Sequence, residues 1–146
     1  MPRTEISTLG EFGLIRHLTS DIKLQQPTTL KGVGDDCAVI SSTNDNDALC
    51  TLVTSDLLLE GIHFDLTYVP LKHLGYKAAS VNISDIYAMN GTPTQMIVSI
   101  GISKRFCVED LEQLYEGIKL ACQTHNVDIV GGDTTSSLTG LTISIS

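Results

Sequence analysis

Apolar residues along this chain recur at two spacings, a helical one of three to four and a strand-like one of two, and the changes between them mark its elements. Thr8 followed by Glu11 has capping-box spacing, and Phe12, Ile15 and Leu18 then recur at helical intervals, which predicts a short first helix beginning near Leu9. Residues 27–31 return the chain to a loop. Gly34-Asp35-Asp36 leads into an apolar run, residues 37–40, expected as a strand; the polar residues 41–47 read as a hairpin-like connection to a second strand at 49–55. Residues 71–90 are helical in pattern, with Leu74, Ala78 and Val81 on one face and Asn90-Gly91-Thr92-Pro93 as the stop. Residues 95–101 form a near-continuous apolar strand. Leu111, Leu114, Tyr115, Ile118 and Cys122 mark an amphipathic helix ending near His125-Asn126, preceded by Glu109 and Asp110, which favour its positive end. Residues 127–130 read as a third apolar strand, ending in Gly131-Gly132-Asp133, and residues 138–145 alternate like a fourth.

This order of strands and helices predicts an α/β fold: a two-layer sandwich, one mixed sheet of about four strands with helices on one face. An apolar outer sheet face would need a partner, and a homodimer is the economical one. The final residues are mid-strand in character, so the expectation is one core over residues 1–146 in a truncated chain.

Composition narrows the function. A formal charge of -8, from 17 acidic against 9 basic residues, opposes nucleic acid or an anionic membrane as partner. The 4 cysteines lack zinc or redox spacing, and neither a signal peptide nor an apolar span is present, which points to a reducing, cytoplasmic setting.

Acidic side chains carry the candidate chemistry. Asp35 and Asp36 precede one strand, Asp56 follows the next, Asp85 lies within the second helix and Asp133 follows a third strand. Between Gly75 and Thr92 the only charged residues are Lys77 and Asp85, so Asp85 sits in a neutral, small-residue helix where a lone carboxylate is costly to bury. Something cationic should face it. No basic residue adjoins Asp36, Asp56 or Asp133, and hard oxygen ligands without His or Cys partners suit Mg2+ better than zinc, with Thr54 and Ser55 offering further oxygens. Each aspartate taken alone reads equally as a turn or helix cap. A calcium-loop register through Asp45, Asp47 and Asp56 fails, because Cys50 occupies the position that needs glycine. Gly32-Val33-Gly34 and Gly131-Gly132 allow close approach of backbone to a ligand, but no P-loop is present, so a nucleotide would be held by metal bridging and backbone contacts. His63 reads, from composition alone, as a surface turn histidine that could donate to a phosphate.

These segments resemble, in order and over nearly the whole chain, the motifs of thiamine-monophosphate kinases. Gly32 to Val39 is similar to the GxGDDxAv segment of that family, Thr54-Ser55-Asp56 to its (S/T)TD, and Glu60-Gly61-Ile62-His63-Phe64 to its eGxHF. Residues 75–89 resemble its GyKAlavNlSDiaAM, Val130 to Thr135 its GGDTT, and Glu11 to Ile15 its N-terminal EfxlI. The resemblance implies ATP-dependent phosphorylation of thiamine monophosphate to thiamine diphosphate. It implies Mg2+ bound by Asp36, Thr54, Ser55, Asp56, Asp85 and Asp133, ATP contacts from Tyr115, Gly132 and Asp133, and a thiamine monophosphate contact from His63. It also implies the aminoimidazole ribonucleotide synthetase-like fold, dimerised through its sheets. No general base is expected, because an acceptor phosphate is already ionised near neutral pH. Ser136 stands where the family often has Arg, and Asn90-Gly91 where it usually has Gly-Ala. The resemblance also implies that residues 1–146 are the N-terminal ATP- and Mg2+-binding domain, with a C-terminal domain absent from this chain, so the isolated fragment should be inactive. The alternatives are a related superfamily enzyme, of the aminoimidazole ribonucleotide synthetase or selenophosphate synthetase kind, and a non-catalytic dimerisation module.

Overall fold

The structure is a computed structural model that describes residues 5–41 and 49–146. The chain divides into two compact units, Met1–Thr51 and Leu52–Ser146.

In the first unit, helix α1 (Gly10–Thr19) follows a single 3-10 turn, Ile6–Thr8. That turn displaces the expected capping box. Leu9 becomes the N-cap without a side-chain cap, its N–H donating to the Ile6 carbonyl. Strand β1 (Thr29–Lys31) forms where a loop was expected and pairs antiparallel with β2 (Ala38–Ser41), the strand predicted at 37–40. With β3 (Cys50–Val53), whose residues fall on both sides of the unit boundary, they form a sheet of order β1-β2-β3. The expected connection at 41–47 lies, past Ser41, outside the described residues, as do Asp45 and Asp47.

The second unit holds β4 (Asp56–Leu59), α2 (Leu71–Ala88), β5 (Gln95–Ile102), α3 (Val108–His125), β6 (Asp128–Ser136) and β7 (Thr142–Ile145). Its mixed sheet has the order β4-β7-β5-β6, parallel only between β5 and β6, which α3 connects as a crossover. The predicted strand at 49–55 is two strands in two sheets. The break falls at Thr54-Ser55, where the Thr54 hydroxyl and the Asp56 N–H turn to side chains of α2 rather than to a neighbouring strand. Residues 138–145 extend as a strand only from Thr142, and Leu138 is fully exposed.

The core lies between the helices and one sheet face. Leu74, Ala78 and Ile83 of α2 and Leu114, Ile118 and Ala121 of α3 pack with Leu58, Val98, Ile100, Ile143 and Ile145. Each large side chain so buried contributes roughly 1.5–3 kcal/mol. Predicted α2 and α3 therefore stand nearly as read, and Asn126, in the left-handed conformation, ends α3 where expected. The helices cross with their backbones touching. A β-carbon at Gly75 would strike the Leu114 carbonyl, and one at Gly117 that of Lys72.

Candidate metal and phosphate site

Strand pairing decides which side chains meet. Asp56 lies opposite Ile145, which lies opposite Val98, and this cross-strand row faces the helices. Asp56 is thereby directed toward α2, where Asn82 and Asp85 occupy one helix face at i, i+3. The Asn82 amide oxygen accepts the Asp56 N–H at 3.1 Å, and its amide nitrogen donates to the Ala78 carbonyl at 3.2 Å. The Thr54 hydroxyl donates to the Asp85 carboxylate at 3.0 Å. Thr54, Asp56 and Asp85 are half-buried, while Ser55 is exposed and its hydroxyl accepts from that of Ser146 at 2.9 Å.

Two carboxylates thus share one partly desolvated place. Burial pushes the Asp56 carboxyl above the usual carboxylate range, the negative charge of Asp85 pushes it further, and His63 pulls weakly the other way. A divalent cation held by Asp56, Asp85 and the Thr54 oxygen would relieve that repulsion. The donor set, all oxygen, fits a hard ion such as Mg2+.

The remaining predicted residues are placed differently. Asp133 falls within β6, not after it, and pairs with Ser99. Leu57, Ser144, Ser99 and Asp133 form the adjacent row, on the face away from the helices. Asp133 there lines a shallow depression with Ser99, Thr135, Thr142 and Ser144. Gly132 has a packing reason of its own, because a β-carbon would strike the Val98 backbone of β5. Tyr115 is half-buried on α3, packed against the core. Asp36 belongs to the first unit and is exposed, and its N–H donates to Asp35, whose carboxyl is held below its usual range chiefly by an ion pair with Lys31. Among the described residues no group of three or more His, Cys, Asp or Glu comes together. The aspartates predicted to converge are represented in one place by Asp56 and Asp85.

His63 is exposed in a turn after β4 and is held tightly. Its Nδ1 accepts the Leu59 N–H at 2.9 Å, and its carbonyl accepts from the Lys77 ammonium at 2.8 Å. Asn82 and Lys77 were not singled out from the sequence. Asn82 was legible as the polar neighbour of Asp85 one helical turn back, whereas the reach of Lys77 to His63 depends on the tertiary fold.

Residues 34–146 match the family described as AIR synthase related protein, N-terminal domain. The chain belongs to that family. As a member of it, the chain is 31% identical over 137 residues to the thiamine-monophosphate kinase of Bacillus subtilis, covering 94% of this chain and 41% of that protein. It is 34% identical over 132 residues to that of Aquifex aeolicus, covering 90% and 40%. A solved structure described as AaThiL complexed with AMPPCP and TMP superposes with a TM-score of 0.83 at 32% identity, over 99% of this chain and 43% of that one. The chain therefore spans about two fifths of the length of these relatives. Among the described residues no helix is long and apolar enough to cross a membrane.

Proposed function

We propose that this chain is the N-terminal, nucleotide- and Mg2+-binding part of a thiamine-monophosphate kinase, which transfers the terminal phosphoryl group of ATP to thiamine monophosphate. One observation carries the reading: the charges of Asp56 on β4 and Asp85 on α2 act on one another, with the Thr54 hydroxyl bound to Asp85, in segments that match the kinase motifs. The solved relative described as complexed with AMPPCP and TMP supports nucleotide and acceptor as ligands. The Mg2+ ligands proposed at this place are Asp56, Asp85 and Thr54; motif position alone makes Ser55, Asp36 and Asp133 Mg2+ ligands as well. Gly132, Asp133 and Tyr115 would meet ATP, and His63 the acceptor phosphate.

Bound Mg2+ would supply charge screening between two polyanions and fix the oxygens for in-line transfer. The residues of this chain hold and orient. The chain works as a homodimer in the cytoplasm and needs a C-terminal domain to act.

Asp85→Asn in the full-length protein should cut turnover at least about a hundredfold, the scale of a lost electrostatic contact at a reacting phosphate, without lowering its melting temperature. An unchanged rate refutes the reading. Calorimetry with Mg2+ and a non-hydrolysable ATP analogue separates a dimerisation module, which gives no nucleotide heat. Turnover of ATP without thiamine monophosphate phosphorylation would favour an aminoimidazole-ribotide or selenophosphate type of enzyme.

A further inference from the structure

The turn that carries His63 closes on itself. The N–H groups of Ile62 and His63 donate to the Leu59 carbonyl at 3.2 and 2.9 Å, and Gly61, with φ of 79°, donates to the Phe64 carbonyl at 2.8 Å. Phe64 is buried and fastens the outgoing end to the core. Within this turn the Leu59 N–H points at His63 Nδ1. A ring nitrogen that accepts a hydrogen bond carries no proton, so neutral His63 bears its hydrogen on Nε2. The exposed edge of the imidazole is then a donor, the polarity an anionic oxygen requires. The other tautomer would present a lone pair to it.

Two side chains, Lys77 from α2 and Glu60 of the turn itself, fasten this turn to the rest of the unit. Lys77, on α2, donates to the His63 carbonyl. Glu60 divides its carboxylate, one oxygen paired with Arg105 and the other accepting the Leu141 N–H at 2.9 Å. Glu60, an anion, cannot itself hold a phosphate, and the Lys77 ammonium gives one of its three donors to the His63 carbonyl. We infer that Lys77 and Glu60 are positioning residues, which clamp the turn so that His63 presents a fixed Nε2–H to an anionic oxygen of the phosphorylated acceptor. This rests on the reading of His63 as an acceptor-phosphate contact. The charge on Lys77 adds to the attraction for that oxygen, while an exposed lysine contact of this kind contributes little to stability. The effect of its loss therefore belongs in substrate binding.

Two measurements test this. Imidazole nitrogen NMR on this chain at about pH 8, above the range of an ordinary imidazole, should show Nε2 protonated and Nδ1 bare. Lys77→Met and Glu60→Gln should shift these resonances toward a tautomer average and speed exchange of the Leu59 amide about tenfold or more, while Lys77→Arg restores both. A protonated Nδ1 in the parent chain, or resonances unmoved in both variants, overturns the inference. In the full-length enzyme the same variants should raise KM for thiamine monophosphate about tenfold, leaving kcat and the KM for ATP within about twofold, the pattern of lost ground-state binding. Unaltered KM in both variants also overturns it. A parent enzyme that does not phosphorylate thiamine monophosphate refutes instead the functional reading, and with it the ligand assigned to His63, while the NMR still decides the tautomer and its clamps.

Discussion

Glu60 joins three segments of the second unit through one carboxylate: its own turn, Arg105 before α3, and Leu141 before β7. The Arg105 guanidinium in turn lies 4.7 Å over the Phe106 ring. The hydrogen bond from Arg105 is the largest reason the Glu60 carboxyl titrates below its ordinary 4.5, and the Leu141 N–H lowers it further, against opposing contributions from burial and from Asp65. A group whose folded pKa is depressed binds its proton more readily when unfolded. The stability it contributes is therefore whole above the ordinary carboxylate range and is lost as pH falls through the lower, folded value. Glu60→Gln should cost about 1.5–3 kcal/mol near neutral pH, the range for a hydrogen bond to a charged group, and should flatten the acid limb of the stability curve. Denaturant melts of parent and variant at a series of pH values check this; parallel curves would contradict it. The motif Glu60-Gly61-Ile62-His63-Phe64 pointed to this turn, but not to its mechanics, because Arg105 and Leu141 are distant in sequence. Asp35 was the reverse case: Lys31 stands four residues before it, a pairing that spacing alone offered.

Helices α2 and α3 were the most legible elements, since periodicity, acidic residues at the start of α3 and Asn126 at its end all agree with the structure. What periodicity leaves out is how closely the two pack. Gly75 and Gly117 each stand where a single methyl group would meet the opposite backbone, and a backbone cannot turn aside as a side chain can. Gly117→Ala should therefore destabilise the chain by about 1–3 kcal/mol, the cost of overpacking, despite the higher helix propensity of alanine. Chemical denaturation measures it, and a stabilised variant would show the crossing to be looser than described. Strands were harder to read. The run at 49–55 is continuous in hydropathy, and only Asn82 and Asp85 on a helix some thirty residues later cause it to divide at Thr54-Ser55. The site was split in the same way: Asp56 and Asp85 were found by residue type, but which face of the sheet Asp133 takes depends on the register shift between β5 and β6 that leaves Val130 without a partner in β5.

At the scale of the whole molecule, helices α2 and α3 of the second unit pack on one face of that unit's sheet. On the other, Leu57 is 52% exposed, Ile97 48% and Val130 59%, around the hydroxyl-rich depression that Asp133 lines. Large apolar side chains grouped on a sheet face are the usual mark of an interface, and the homodimer proposed here would cover them. A twofold interface uses each residue twice, so a single substitution is felt on both sides. Ile97→Lys removes two apolar side chains worth roughly 1–2 kcal/mol each and places two like charges across the axis. It should weaken self-association at least about a hundredfold. Sedimentation velocity should find the parent chain dimeric and Ile97→Lys monomeric, with similar melting behaviour once concentration dependence is removed. A parent chain that is monomeric at every concentration would leave this face to a different partner.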